Sequence, residues 1–391
     1  MTRFAACIKL VFLHFGLLTT LLLAALVAGS MVYCVLVIIA ARRYLGQRPP
    51  RLESAPPISV LTPLHGAEAG LEENLRSSFA QRYPQFELLF AFRQSDDPAS
   101  EIVHKLMAEF PHVPARILVT GEPPYPNAKV FSLHLMQAVA RFDLLVMKDS
   151  DVRTGPDMLK VIAAEFGDAR VGMVTCPYLA IAGRGLWWKL DALGMNTQFL
   201  GGVLVARMLE GMKFALGPAI AVRKSILVEM GGIETLNDYL AEDFVIGQTA
   251  HRLGHRVILS SYRIEHHIGG GSFRSNMLHR IRWVRSTRRS RPSGYVGELF
   301  TNPLPLALAL WSWEPRLWPA ALAAGLLRAA AAWVSVHRVL RSRLTWREWL
   351  YIPVQDILSF VFWIAGFFGA TVLWRGRRYQ LRPDGRIALI R

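Results

Sequence analysis

The chain has 391 residues, 52% of them hydrophobic, and a mean hydropathy of +0.27, high for a soluble protein. Forty-five Lys and Arg against 29 Asp and Glu leave a net charge of +16. Much of that excess lies beside apolar runs, at Arg42-Arg43, Arg285–Arg291 and Arg375–Arg378, where it favours anionic lipid headgroups; no nucleic-acid motif accompanies it, so a nucleic-acid partner is not expected. The length holds about two domains. Cys7, Cys34 and Cys176 have no metal-ligand spacing and imply no disulfide framework.

Val11 to Ala41 is almost wholly apolar, longer than the roughly 20 residues that span a bilayer and too long for the core of a cleaved signal. An uncleaved anchor over residues 1–43 is expected. Arg3 and Lys9 precede it; Arg42, Arg43, Arg48 and Arg51 follow. The heavier positive flank puts the following domain in the cytoplasm. Pro49-Pro50 and Pro56-Pro57 stiffen a linker over 44–57.

From Ile58 the pattern alternates. Strands are predicted at Ile58–Leu61, Phe86–Phe92, Ala115–Val119 and Asp143–Met147, with helices at Leu71–Ala80, Ala99–Phe110 and Lys129–Ala140. Short apolar strands alternating with helices predict an α/β domain with a parallel sheet, spanning 58–300. After Asp151, a helix at Met158–Phe166 and strands at Val171–Cys176 and Arg256–Ser260 are expected. Ser272–Arg291 reads as a basic helix. No G-x-G-x-x-G or Walker loop is present, so dinucleotide oxidoreductases and P-loop enzymes lose ground. Pro303–Leu310, Leu317–Val336 and Trp349–Trp374 are apolar, making 301–391 a C-terminal membrane region. Basic residues at Arg338–Arg347 and Arg375–Arg386 both favour the cytoplasmic side, which leaves its topology open.

The apolar run Leu144–Met147 stops at Lys148-Asp149-Ser150-Asp151. Two carboxylates two residues apart at a strand end can converge on one hard cation, Mg²⁺ or Mn²⁺, that also holds substrate phosphates. A solvated turn is the plainer reading of the same four residues. Asp96-Asp97, Lys129 and Glu242-Asp243 fall at other strand ends or loops; each also has an ordinary reading, as a helix entry, a surface lysine and a charged helix face. His266-His267 suggests a metal but reads more simply as cleft lining or plain loop, and Trp283 also fits membrane-interface packing.

Together these residues meet the needs of a sugar–nucleotide donor. Asp96 or Asp97 can bind base or ribose. Asp149 and Asp151 can hold the metal that screens the diphosphate, and Arg282 can grip phosphate oxygens. Asp243 is the candidate to take the acceptor's proton as the anomeric carbon is attacked opposite the leaving group.

Asp96-Asp97, Asp149-X-Asp151, Glu242-Asp243 and His279-Arg-Ile-Arg-Trp283 resemble the D, DXD, (E)D and (Q/R)XXRW series of inverting family 2-like glycosyltransferases. Within that series the sequence more closely resembles the ceramide glucosyltransferases and their bacterial relatives in hopanoid lipid pathways. Val60-Leu-Thr-Pro-Leu-His-Gly66, Asp96-Asp-Pro-Ala99, Asn127-Ala-Lys129, Lys148-Asp-Ser-Asp-Val-Arg153 and Ala241-Glu-Asp-Phe244 carry the likeness, which runs from about Ile58 to Pro305. The resemblance implies a GT-A α/β domain with N-terminal and C-terminal transmembrane helices, a UDP-sugar donor, Mg²⁺ or Mn²⁺ at Asp149 and Asp151, and a membrane lipid hydroxyl as acceptor. It makes Asp243 the catalytic base. Asp96, Asp97, Lys129, Asp149, Glu242, Arg282 and Trp283 become substrate-binding residues. A hopanoid N-acetylglucosaminyl transfer is the alternative within the class. His279 stands where the family has Gln or Arg, and Asp151 where some ceramide enzymes have Gly.

A multi-pass membrane enzyme with a cytoplasmic catalytic domain is therefore expected. A non-catalytic nucleotide- or lipid-binding membrane scaffold is the competing class. Trp187-Trp188 and Phe199–Met208 are expected to lie against the bilayer as a lipid entrance, with ordinary core as the alternative.

Overall fold

The computed structural model describes residues 2–390 except Arg48 and Arg375, with side chains from His14 onward. Arg3, Lys9, Arg48, Arg375 and the Cys7 thiol lie outside the described side chains. The chain divides into two compact units: Gln47–Ala192 with Leu209–Pro292 and Gly366–Arg391, and Met1–Gly46 with Leu193–Met208 and Ser293–Ala365.

The strands are β1 (Ile58–Pro63), β2 (Phe86–Phe92), β3 (Ala115–Val119), β4 (Leu144–Lys148), β5 (Val152–Arg153), β6 (Val171–Thr175), β7 (Tyr178–Ala182), β8 (Ala219–Arg223), β9 (Arg256–Leu259), β10 (Ile264–Ile268), β11 (Thr371–Trp374), β12 (Arg377–Leu381) and β13 (Ile387–Leu389). The helices are α1 (Thr2–Leu45), α2 (Leu71–Phe79), α3 (Ala99–Glu109), α4 (Ala128–Val139), α5 (Met158–Glu165), α6 (Leu186–Gly194), α7 (Leu200–Glu210), α8 (Lys224–Glu229), α9 (Glu242–Arg252), α10 (Phe273–Ser290), α11 (Pro292–Gly297), α12 (Pro303–Trp313), α13 (Trp318–Trp333) and α14 (Trp346–Gly366).

The first unit is built on a seven-stranded sheet in the order β3-β2-β1-β4-β8-β6-β9. Every residue of β2 and β4 is buried, as expected for strands covered on both faces, which read as continuous apolar runs rather than alternating ones. The expected parallel pairing holds for β3-β2-β1-β4. The sheet as a whole is mixed, because β8 runs antiparallel to both β4 and β6. Its first residue, Ala219, sits opposite Lys148, the last of β4. The reversal brings Gly217-Pro218 to the tip of β4, where the amide of Asp149 donates to the Pro218 carbonyl at 3.0 Å. A second sheet, β5-β10-β7, lies beside that tip in the chain's pairing, since β5 follows Asp151 directly.

The third sheet, β11-β12-β13, is an antiparallel meander in the stretch read from sequence as membrane region. Helix α14 stops at Gly366 rather than running on to Trp374, and Gly369 takes a left-handed φ of 77° in the turn that follows. Glycine meets no Cβ penalty there.

Among the described residues, three helices are long and apolar enough to cross a membrane: His14–Leu45, Pro315–Val339 and Trp346–Gly366. Inside the second unit Arg328 and Asp356 form a two-pronged ion pair, at 2.9 and 2.8 Å, both almost fully buried. Thr197 accepts from Arg328, and Gln198 donates to Asp356 and Asn302. Thr197 and Gln198 sit in a widened helical turn at Met195–Phe199, a distortion that often marks a site of special contacts. Residues 199–208, expected against lipid, are largely interior: Leu200, Val203, Leu204 and Val205 are buried, and Gly201 lies closely on Val37. Their apolarity is used within the unit instead. Trp188 is likewise buried in the α/β unit, its indole N–H donating to the Gly271 carbonyl at 3.0 Å.

Candidate active site

The tip after β4 is braced by its own neighbours. Lys148 is buried, and its ammonium donates to the carbonyls of Asn74 (3.2 Å) and Val152 (2.7 Å). Burial lowers its pKa to about 7, against the pull of Asp151 and Asp149. Asn74 of α2 also donates to the Ser150 carbonyl and accepts from Arg153. Asp149 and Asp151 therefore project from a braced turn.

Lys129, in the first turn of α4, reaches Asp149 Oδ1 at 2.7 Å and Glu242 Oε1 at 3.0 Å. One ammonium thus joins the end of β4 to the start of α9. Burial alone depresses a lysine's pKa; here Asp149 and Glu242 outweigh it and hold Lys129 charged. Asn127 caps α4, its carbonyl oxygen accepting from Val130, while its amide donates to the Tyr239 carbonyl and, at 3.5 Å, to Glu242.

Asp243 lies in the first turn of α9 beside Glu242. Its Oδ1 accepts from the Phe244 amide at 2.9 Å. Its Oδ2 packs so closely on Gly217 that a Cβ there would stand 2.7 Å away. Burial first, then the neighbouring Glu242 charge, raise its pKa to about 6, with Lys129 opposing. A carboxylate so poised is a competent proton acceptor near neutral pH.

Asp151 meets His266 of β10, with 3.2 Å between Oδ2 and Nε2. Burial acts against both charges, yet the pair holds Asp151 below the usual carboxylate pKa and His266 above the usual imidazole value. Tyr178 of β7 sets its ring edge-on to His266, with centroids 5.1 Å apart. The pairing of β10 with both β5 and β7 creates this contact.

Asp97 accepts from the amides of Gly66 (3.0 Å) and Ala99 (2.9 Å), tying the loop after β1 to the start of α3. Asp96 beside it is exposed. On α10, Asn276, His279 and Arg280 all address Asp191 of α6: Asn276 donates to it at 3.1 Å, His279 Nδ1 is 3.2 Å away, and Arg280 pairs at 3.5 Å. His279 lies between the rings of Trp188 and Trp283, at 5.6 and 5.8 Å. Arg282 is half-buried and stands about 100° around the helix from that face. The buried arginine of the motif is Arg280.

The structure thus gathers Lys129, Asp149, Glu242 and Asp243 through direct contacts and electrostatic coupling, with Asp151 two residues from Asp149. Asp97 and the α10 motif form separate contact sets. Sequence reasoning left His266 open, and did not single out Tyr178 or Asp191. A lone Asp within Trp187-Trp188-Lys189-Leu190-Asp191 carries no motif signal.

The sequence model described as Glycosyl transferase family 21 matches residues 20–387. The chain belongs to that family. Ceramide glucosyltransferase 1 of Caenorhabditis elegans is 25% identical over 342 residues, covering 85% of this chain and 73% of the relative. Ceramide glucosyltransferase 3 of the same organism is 26% identical over 381 residues, covering 93% and 82%. The mannosyltransferase PcManGT from Pyrobaculum calidifontis, solved with GDP-Man and Mn²⁺, superposes with a TM-score of 0.51 at 19% identity, covering 88% of this chain and 97% of its own. The α/β unit of this family 21 glycosyltransferase has the GT-A fold.

Proposed function

We propose that this family 21 glycosyltransferase moves a sugar from a UDP-sugar to a hydroxyl of a membrane lipid, with inversion at the anomeric carbon. The observation that carries the reading is the bridge from Asp149 through Lys129 to Glu242, with Asp243 in the same helical turn. The relatives named ceramide glucosyltransferases support a lipid acceptor and a glucose donor, and the three long apolar helices support a multi-pass membrane protein. We take the α/β unit to be cytoplasmic, on the side favoured by Arg42, Arg43 and Arg51.

Asp243 accepts the proton of the lipid hydroxyl as that oxygen attacks, and its raised pKa lets the proton move without a strong base. Lys129 keeps Asp149 and Glu242 from repelling one another and sets positive charge where the diphosphate departs. Asp96 and Asp97 serve the base and ribose, Arg282 the phosphate oxygens, and Trp283 the acceptor side.

Asp149 and Asp151 fit a divalent cation. Both are carboxylates on a braced turn, and Asp151 Oδ1 is a buried acceptor left without a protein partner. Among the described residues no group of three His, Cys, Asp or Glu side chains is already arranged around a cation position, which accords with phosphate oxygens completing the shell. Mg²⁺ or Mn²⁺ held there would screen charge growing on the leaving diphosphate.

The decisive experiment is Asp243→Asn in detergent or nanodisc. Transfer should fall by about 10³-fold while UDP-sugar binding persists. Unchanged turnover would remove Asp243 from the chemistry, and lipid mass spectrometry of cells with and without the protein would identify the product.

A further inference from the structure

Asp243 owes its position to backbone rather than to side-chain neighbours. Its carboxylate accepts a hydrogen bond from the adjacent Phe244 amide. Helix α9, which carries it, begins at Ala241 with no side-chain cap, and alanine is a poor residue for starting a helix. An uncapped first turn frays unless something holds the chain leading into it. That chain, residues 237–241, is held from two sides. On one side Asn127 receives nothing from solvent: its amide N–H donates to the Asn237 carbonyl (3.0 Å) and its side chain to the Tyr239 carbonyl (2.9 Å).

The other side is the β11-β12-β13 meander, whose Arg386 lies 148 residues beyond Asp238. The Ile387 amide donates to the Asp238 carbonyl at 2.6 Å, and Tyr239 and Arg386 form an antiparallel bridge. Arg386 donates to the Tyr239 hydroxyl at 3.2 Å, lies over its ring at 5.2 Å, and reaches Asp238 at 3.5 Å. Leu240 is buried with Val372, Tyr379, Leu381 and Ile387. The meander is itself tied to α10, where Arg285 donates to the carbonyls of Phe368 and Thr371 and Arg288 to that of Phe367.

We propose that the C-terminal meander is a positioning device for catalysis, with Arg386 clamping the 238–240 segment so that α9 presents Asp243 at the reacting hydroxyl. Arg386 is a positioning residue, touching no reacting atom. The proposal rests on Asp243 as the base.

The test is steady-state kinetics of the full-length protein with UDP-glucose and a short-chain ceramide. Arg386→Ala should lower kcat roughly tenfold or more, the scale of a small misplacement of a reacting group. KM for the donor should change less than kcat, since Asp149 and Asp151 sit on a turn braced by Asn74 and Lys148 rather than by the 238–240 segment. Asp238→Arg should behave similarly, and the double variant Asp238→Arg with Arg386→Asp should recover kcat relative to either single change. Arg386→Lys should recover part of it. Amide hydrogen exchange at residues 238–245 should quicken in Arg386→Ala. A kcat within twofold of wild type in Arg386→Ala, or loss of kcat with no recovery in the charge-swapped pair, would overturn the clamp. An active Asp243→Asn would instead overturn the underlying reading, so the two failures are told apart.

Discussion

A carboxylate that takes a proton from an alcohol works only in its ionised form. An ordinary Asp is ionised above about pH 4, whereas burial and Glu242 hold Asp243 near 6. Activity should therefore fall as pH drops through about 6, roughly tenfold per unit below it, and level off above. A rate profile flat down to pH 5 would be incompatible with Asp243 as base. Lys129 opposes the rise in the Asp243 pKa, so its removal has a defined sign. In Lys129→Met the acid limb should move to higher pH, because a carboxylate losing a nearby cation ionises less readily. Measuring kcat/KM against pH in both proteins checks this. The orphaned oxygen of Asp151 gives a third expectation. Chelation with EDTA should abolish transfer, and Mg²⁺ or Mn²⁺ should restore it in the wild type but only weakly in Asp151→Ala, as read from labelled lipid product.

At the scale of elements, the runs that carry their own burial were legible. Phe86–Phe92 is strand over the same residues in both readings, because seven apolar-rich positions in a row leave a short helix little advantage. Ile264–Ile268 was not legible as a strand. Its middle, Glu265-His266-His267, is polar and only partly buried, and its place is set by partners at Val152 and Tyr178–Ala182 far away in sequence. The same long-range pairing hid the His266–Asp151 contact. The meander at Thr371–Leu389 was masked by the apolar run before it and the arginines within it, which together read as a membrane boundary. On the site, Asp149, Asp151 and Asp243 stood out because their spacing and neighbours form motifs. Asp191 did not, since only the packing of α6 on α10 gives it partners. That packing yields a prediction of its own: Asp191→Ala strips the counter-charge from buried Arg280 and should cost about 3 kcal/mol. Thermal unfolding followed by tryptophan fluorescence should report it as a clear fall in Tm.

For the whole molecule, one feature of the helical unit bears on how the protein is made. Arg328 belongs to α13 and Asp356 to α14, and both are nearly sealed from solvent while paired with each other. Delivered to hydrocarbon separately, each ion would burden its helix by about 3 kcal/mol during translocon partitioning. Delivered together they enter as a neutral couple. The two segments should accordingly integrate as one hairpin, after the ribosome has released both. Chains truncated before Trp346 should leave α13 poorly inserted, and a compensating Arg328→Leu should rescue it, as scored by engineered glycosylation tags in microsomes.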